Sequence, residues 1–329
     1  MSFLIKKIYG RFNGKLFPLV SYWGCYFAFS YFWIIQKKST IILAPTAAIG
    51  DTLYVFSFIE SMDEWTKENN KKVLLYVSDR YKDILETYKK PSTRITIVYL
   101  KHCGFKHLFL MMLAGCKYHP ILNKLSLKKR IIIPILNVYS DYFARIHRQK
   151  PRGMRKQLSH LLGFPLHPIS LHKLSPLPKL NIDLGEPEKK VCILNPYSFS
   201  MYSSLQLFEK IAIELKKLNF TVYSNILNGQ KEIEGTIPLK CNLYELYSIA
   251  KKIPLIVSVR SGILDFLIPS QINMFIIYDK WKISYSQDED FAIDDWPSQG
   301  KLYEVSTKTK TENEILQDFH SFLRSIQHS

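Results

Sequence analysis

Short apolar runs of strand length alternate with amphipathic segments along most of the chain. In the first half, strands are predicted at Thr40–Leu43, 73–77, Ile95–Leu100 and 131–136. Helical periodicity follows or separates them at 53–62, 105–114, 138–147 and 155–162. Strands that alternate with helices indicate a parallel sheet covered by helices on both faces.

The second half of the chain repeats this alternation. Strands are predicted at 191–194, 221–224, Leu255–Val259 and 274–278, and helices at 205–218, 243–252, 263–268 and 312–326. Between the halves the pattern dissolves at 163–188, which holds five of the 16 prolines and indicates a linker. We therefore predict an α/β fold with two doubly wound, Rossmann-like domains. Ligands bind such sheets beyond the carboxyl ends of the strands, so we expect the two domains to face a cleft.

The predicted organisation has five parts. They are an N-terminal aromatic helical extension at 1–38, a Rossmann-like domain at 39–163, a linker at 164–188, a second Rossmann-like domain at 189–310 and a C-terminal helix at 311–329.

The N-terminal extension has the composition of a membrane-associating segment. Residues 16–36 carry no charge and include nine aromatic side chains. About 20 apolar residues suffice to span a bilayer, but Trp and Tyr prefer the headgroup region. Three interpretations stay open: an anchor in the membrane surface, a true span, and an aromatic helix pair packed onto the protein itself. The first 50 residues hold six Lys or Arg and no acid, which favours contact with anionic lipid.

The charge of the chain is strongly positive, at +17, and lies mainly in the first half. Residues 101–160 hold thirteen Lys or Arg and a single acid, Asp141. A surface of this kind requires an anionic partner, such as nucleic acid, anionic lipid or a phosphorylated substrate, although a merely solvated face is the alternative. Candidate anion- or acceptor-binding residues in this region are Lys128, Lys129, Arg130 and Arg152. No helix-turn-helix, RNP or KH motif is present, so we expect no nucleic-acid partner.

Metal and cofactor motifs are missing from the sequence. The five cysteines form no C-x-x-C pair, and the nine histidines form no H-x-x-x-H pair. There is no G-x-G-x-x-G, Walker A or G-x-S-x-G motif. We therefore predict neither a metal site nor a cofactor, and a reducing compartment.

The first motif that carries chemistry is Gly50-Asp51-Thr52, which lies between the first strand and its helix. Gly50 permits a tight turn with a close backbone approach. Asp51 or Thr52 can cap the helix, and capping alone is one interpretation. The other is catalytic, because a carboxylate beyond the end of this strand stands where a general base would act.

The second motif follows the buried strand Leu255–Val259. Arg260, Ser261 and Gly262 come at the start of a predicted helix, where N–H groups and the helix dipole bind anions. Arg260 can bind a phosphate with two donors, and Asp265 could hold it in place. The motif predicts a cradle for a diphosphate, and the alternative is an Arg–Asp pair that only stabilises the turn.

The third motif follows the first strand of the second half. Asn195, Tyr197 and Ser198 offer hydrogen-bond donors and a ring for stacking, which are suited to a nucleotide. A polar loop without a ligand is the alternative interpretation.

These motifs resemble those of heptosyltransferase-type glycosyltransferases of the GT-B fold. A strand, then Gly50-Asp51, then an apolar helix is similar to the opening of that family, in which the aspartate is the proposed catalytic base. The segment 258–265 stands where the family has an Asp-Ser-Gly-x-x-His donor motif, with Arg260 and Asp265 in place of its acid and histidine. Arg260-Ser261-Gly262 is reminiscent of GT-B fucosyltransferases, in which an arginine binds the donor pyrophosphate.

The resemblance implies a metal-independent, inverting glycosyltransferase that moves a sugar from a nucleotide-sugar to a lipid-linked surface glycan. Asp51 would be the catalytic base, with Gly50 and Thr52 beside the acceptor, and His102, His119 and Asp141 are the next candidates. The nucleotide-sugar would be a co-substrate, and no cofactor is implied. We expect a peripheral or shallowly anchored protein on the cytoplasmic face of the inner or plasma membrane, in polysaccharide or lipopolysaccharide biosynthesis. The alternatives are a basic nucleic-acid-binding protein and a catalytically inactive GT-B scaffold.

Overall fold

The computed structural model describes eleven parts of the chain: 40–43, 49–85, 92–102, 131–132, 153–162, 190–198, 201–227, 229–282, 288, 292–293 and 300–327. Two compact units are present, one of Met1–Pro151 with Gln157–His167, the other of Arg152–Lys156 with Pro168–Ser329. The predicted N-terminal extension, the linker, and the helices at 105–114 and 138–147 lie outside the described residues.

The first unit contains a parallel sheet. Its strands are β1 (Thr40–Leu43), β2 (Lys72–Ser78), β3 (Ile95–Leu100) and β4 (Ile131–Ile132), in the order β3-β2-β1-β4. Its described helices are α1 (Ile49–Phe56), α2 (Ile59–Glu68) and α3 (Lys82–Leu85), and α4 (Met154–Leu162) belongs to it from Gln157 onward.

The predicted helix at 53–62 is two helices, and the first of them begins earlier than expected. The apolar face is buried as the periodicity requires, because Leu53, Phe56, Ile59 and Met62 are all at most 4% exposed. The chain leaves the α-helical path at Ser57, whose hydroxyl donates to the Tyr54 carbonyl over 2.6 Å. Such a bond back to the preceding turn is a known way for serine to bend a helix.

The second unit contains a larger parallel sheet. Its strands are β5 (Lys190–Asn195), β6 (Phe220–Asn225), β7 (Ile237–Leu239), β8 (Leu255–Val259), β9 (Asn273–Tyr278) and β10 (Leu302–Ser306). Their order is β10-β9-β8-β5-β6-β7, and every neighbouring pair is parallel. Its helices are α5 (Leu205–Lys217), α6 (Leu243–Ala250), α7 (Gly262–Leu267) and α8 (Glu312–Gln327).

Apolar packing joins these helices to the sheet of the second unit. Helix α5 buries Leu207, Phe208, Ile211 and Leu215 in the core that also holds β5 and β8. The C-terminal helix α8 packs on β9, where the ring of Phe319 meets that of Phe275 edge-on at a centroid distance of 5.1 Å.

The order of the strands marks one special point on each sheet. In the second unit the chain runs from β5 outward to β6 and β7, then crosses to β8 on the other side of β5 and continues outward to β9 and β10. The first unit behaves alike, with β2 and β3 on one side of β1 and β4 on the other. Ligands of open α/β sheets bind at the carboxyl ends of the strands where the direction reverses. The prediction of two doubly wound, Rossmann-like units is confirmed, and these switch points are β1/β4 and β5/β8.

Candidate functional site

Gly50, Asp51 and Thr52 lie at the carboxyl end of β1, beside the switch point of the first unit. Strand β1 ends at Leu43 and α1 begins at Ile49, so all three belong to the first turn of α1. The expectation that Asp51 or Thr52 caps the helix is therefore wrong, because the helix begins before both, and Gly50 lies within it rather than in a turn. A carboxylate in the first turn of a helix is favoured by the dipole all the same.

A second polar cluster lies at the same edge of this sheet, at the ends of β2 and β3. The Ser78 hydroxyl lies 3.2 Å from Nδ1 of His102, and the backbone N–H of His102 donates to Oδ1 of Asp79 over 2.8 Å. In this contact either the Ser78 hydroxyl or an Nδ1–H group of the ring is the donor, according to the tautomer of His102. His102 was among the candidate bases, whereas Ser78 and Asp79 could be recognised only once β2 and β3 were paired.

In the second unit, Arg260 and Asp265 form a buried ion pair just beyond β8. Nη2 of Arg260 lies 2.6 Å from Oδ1 of Asp265, Nη1 lies 3.2 Å from Oδ2, and the two side chains are 3% and 1% exposed. Nη1 also donates to the Ser261 carbonyl over 2.6 Å. This geometry neutralises the guanidinium and fixes the turn into α7. Binding of a donor diphosphate by Arg260 stays a prediction.

Ser261 precedes α7 in a capping position but does not cap the helix. Its backbone is extended, with φ −149° and ψ 158°, and its side chain makes no cap hydrogen bond. Within the described part of the chain its Oγ, which is buried, has no hydrogen-bond partner. An unsatisfied buried hydroxyl costs about 1–3 kcal/mol. A ligand or water that reached this turn would therefore gain the hydroxyl and the N–H groups at the start of α7, of which that of Leu264 already donates to the Ser261 carbonyl over 3.0 Å.

A chain of buried hydrogen bonds crosses the carboxyl ends of β6, β5 and β8. Nδ2 of Asn225 donates to Oδ1 of Asn195 over 3.0 Å, and Nδ2 of Asn195 donates to Oγ of Ser258 over 2.9 Å. The Ser258 hydroxyl lies 2.7 Å from the Val259 carbonyl. Both amide orientations are thereby defined, and these polar side chains bridge the β5/β8 switch point beside the apolar core that holds Leu194 and Val257.

The thiol of Cys241 is the first donor of this chain. Its Sγ lies 3.7 Å from Oδ1 of Asn225. Burial, assisted by the charge of Glu245, raises the pKa of Cys241 to about 12, so the thiol keeps its proton and remains a donor. Sequence reasoning found Asn195 but missed Asn225 and Cys241. The signal for Asn225 is an amide side chain at the carboxyl end of β6, the edge at which such sheets bind ligands.

The loop that leaves β5 is fixed at two points. The Tyr197 hydroxyl donates to the Lys231 carbonyl over 2.6 Å, and Nζ of Lys282 donates to the Ser198 carbonyl over 3.0 Å. The Tyr197 hydroxyl is thus engaged with the protein itself, while its ring and Ser198 are half-buried.

The remaining predicted site residues belong to parts of the chain outside the described ranges. Lys128, Lys129, Arg130 and Arg152 lie outside the described residues, as do His119 and Asp141. Within the part of the chain that the structure describes, no three His, Cys, Asp or Glu side chains are grouped as metal ligands would be. No described helix combines the length and the apolarity needed to cross a bilayer.

Comparison with known proteins supports the fold. No protein-family model matches the sequence, and no curated protein does. The structure is similar to the crystal structure of a family 9 glycosyl transferase from Veillonella parvula DSM 2008, with a TM-score of 0.53 and 11% identity over 89% of this chain and 99% of that one. The Escherichia coli heptosyltransferase WaaC with ADP gives a TM-score of 0.48 and 10% identity over 86% of this chain and 99% of that one.

At such low identity the first of these similarities shows the fold alone. That fold is the one the motifs implied, and the resemblance to heptosyltransferase-type enzymes of the GT-B class is confirmed at this level.

Proposed function

We propose that the protein is a glycosyltransferase that transfers a sugar from a nucleotide-sugar donor. One observation carries the proposal: hydrogen-bonding side chains concentrate at the β5/β8 switch point, where Asn195 donates to Ser258 and the unsatisfied hydroxyl of Ser261 follows three residues further along the chain, within a fold similar to that of a family 9 glycosyl transferase. The position is the one at which doubly wound sheets bind nucleotides.

The donor in this proposal binds against the loop 195–198 and the turn 260–262. The backbone N–H groups at Ser261–Gly262 and the Ser261 hydroxyl face the diphosphate, which supplies the partner that Ser261 lacks. Tyr197 and Ser198 contact the nucleoside. Arg260 then acts chiefly by holding the Ser261 carbonyl, with Asp265 as its counter-ion.

Asp51 is the proposed general base. Its carboxylate accepts the proton of the acceptor hydroxyl while that oxygen attacks the anomeric carbon of the sugar. The bond from that carbon to the diphosphate breaks, and the nucleoside diphosphate leaves with the electron pair. A direct displacement of this kind inverts the anomeric centre, and fixed N–H donors stabilise the leaving charge without a metal.

The proposed acceptor is a lipid-linked glycan at an anionic membrane surface. The support is the net charge of +17 and its concentration in the first half of the chain. Polybasic surfaces bind anionic lipid with about 1 kcal/mol per Lys or Arg near the membrane.

A donor screen tests the proposal. The full-length protein is heated with ADP-, GDP-, UDP- and CMP-sugars in turn, and a true donor raises the melting temperature by an amount that follows RT ln(1 + [L]/Kd). Release of the nucleoside diphosphate, or of CMP in the case of a CMP-sugar, in the presence of a lipid-linked acceptor then establishes transfer. Absence of stabilisation by all four classes would contradict the proposal.

A catalytically inactive scaffold of the same fold is the second candidate. It is favoured by the neutralised state of Arg260, since a buried Arg–Asp pair needs no ligand to explain it. A scaffold and an enzyme differ in the donor-dependent step: the scaffold would not release a nucleoside diphosphate whatever acceptor is supplied.

A further inference from the structure

We infer that Lys282 supplies the positive charge that the diphosphate of the donor meets in the second unit. The inference rests on the proposed function and identifies a residue that none of the sequence motifs contains. Its starting point is that the cation expected for this task, Arg260, is neutralised by Asp265 within hydrogen-bond distance.

The geometry brings Lys282 to the β5/β8 switch point from a distant part of the chain. Lys282 lies four residues beyond the end of β9, yet its Nζ donates to the Ser198 carbonyl, three residues beyond the end of β5. Strand β8 lies between β9 and β5 in the sheet. The segment around Lys282 therefore reaches across the carboxyl end of β8, the strand that leads into Arg260.

Backbone pairing holds this segment in place. Met201 and Trp281 form an antiparallel bridge, and the Tyr202 N–H donates to the Lys280 carbonyl over 2.9 Å. The ammonium of Lys282 also lies 5.4 Å from the centre of the Tyr202 ring, a cation–π distance. Lys282 is thus positioned by two loops that are tied to each other, although its own side chain is exposed.

The charge of Lys282 is not cancelled by a carboxylate within the described residues. Its contacts there are the Ser198 carbonyl, which is neutral, and an aromatic ring. Other lysines on this edge differ, since Lys308 pairs with Asp288 over 2.9 Å and Lys310 pairs with Asp318. An ammonium has three N–H donors, of which the carbonyl of Ser198 uses one. The others can reach an anion placed beside this loop.

A matched pair of lysines provides the experiment. Lys280 lies in the same segment and is exposed, but among the residues that the structure describes no contact of its side chain ties it to the loop after β5. The test compares Lys282→Met, Lys282→Arg and Lys280→Met in the full-length protein. Isothermal titration calorimetry measures the affinity of each for the nucleoside diphosphate selected by the donor screen and for the corresponding nucleoside.

The expected result is selective for the phosphates. Lys282→Met should weaken binding of the diphosphate about tenfold or more, which is typical for loss of one hydrogen bond to a charged group, and leave binding of the nucleoside unchanged. Lys282→Arg should keep most of the affinity, and Lys280→Met should match the wild type. An unchanged preference for diphosphate over nucleoside in Lys282→Met would overturn the inference alone. If the wild-type protein bound none of the nucleotides, the proposed function would fall, and the inference with it.

Discussion

Replacing Asp265 with asparagine removes the counter-ion of a buried guanidinium while keeping the size of the side chain. Arg260 and Asp265 are both almost fully buried and joined by two hydrogen bonds. Removal of one partner of such a pair leaves the other as an uncompensated buried charge, which costs about 3–5 kcal/mol. The asparagine oxygen still accepts one bond from Arg260, so the lower end of that range applies to Asp265→Asn.

The double replacement Arg260→Met with Asp265→Leu gives the sharper test. It removes both charges together, and apolar residues of similar volume in place of a buried pair are often neutral or even stabilising. If Arg260 and Asp265 bind each other and not the donor, the double variant should be more stable than either single variant. The coupling free energy of such a cycle is about 0.5–3 kcal/mol for contacting residues.

Chemical denaturation followed by circular dichroism measures the free energy of unfolding of the four proteins in the cycle, which are the wild type, Arg260→Met, Asp265→Leu and the double variant. Donor affinity is measured on the same samples by calorimetry. We expect a large coupling between the two substitutions in the free energy of unfolding. In Arg260→Lys we expect loss of the fixed turn, because an ammonium cannot bind Asp265 and the Ser261 carbonyl in one planar fork. Additive stability effects, together with loss of donor binding in Arg260→Met alone, would refute this reasoning and return Arg260 to the diphosphate.

Three further outcomes are expected. Asn225→Asp removes the N–H group that donates to Oδ1 of Asn195 and places two acceptors opposite each other. Burial should raise the pKa of the carboxyl group in the variant, so its melting temperature relative to that of the wild type should rise as the pH falls. Melting temperatures of the two proteins that change with pH in parallel would contradict this. Because the pKa of Cys241 is about 12, only about one thiol in ten thousand is ionised at pH 8, and mass spectrometry should find it alkylated by iodoacetamide far more slowly in the native than in the unfolded protein; equal rates would disprove this. Deletion of residues 1–37 should abolish binding to anionic vesicles and leave the two units folded, since β1 begins at Thr40; retained binding would move the anchor to the basic region 101–160.

Strands β5, β8 and β9 could be predicted because nearly all of their residues are buried and they appear as apolar runs in the sequence. β1, β3 and β8 have the expected bounds, and every residue of β8 is buried. Helix α5 was equally clear, because its apolar residues recur with helical spacing and its last turn is basic.

Two strands of the second unit were not predicted, for two different reasons. β7 is three residues long and contains Pro238, which cannot donate to a neighbouring strand and is tolerated here because β7 is the edge of the sheet. β10 forms the other edge and is only partly buried, so its pattern of Leu302–Ser306 lacks a continuous apolar run.

The sequence predicts a contact in the candidate site only where both residues of that contact lie in the same motif. Asp265 follows Arg260 by five residues, and the possible pair was visible in the sequence. Asn225, Cys241 and Lys282 reach the switch point from separate strands and loops, so their convergence depends on the order of the sheet. No periodicity encodes that order.

The most direct test of the account is the rate of sugar transfer by Asp51→Asn. Asp51 lies in the first turn of α1, where loss of the charge costs about 0.3–1 kcal/mol through the dipole, so the variant should remain folded and bind the donor. General-base catalysis contributes about 10²–10⁴ in rate. With the donor from the screen and a lipid-linked acceptor, we expect acceptor-dependent release of the nucleoside diphosphate by the wild type and a loss of at least about a hundredfold in Asp51→Asn. Transfer by the variant at the wild-type rate would remove Asp51 from the mechanism, and absence of any transfer by the wild type would contradict the proposed function itself.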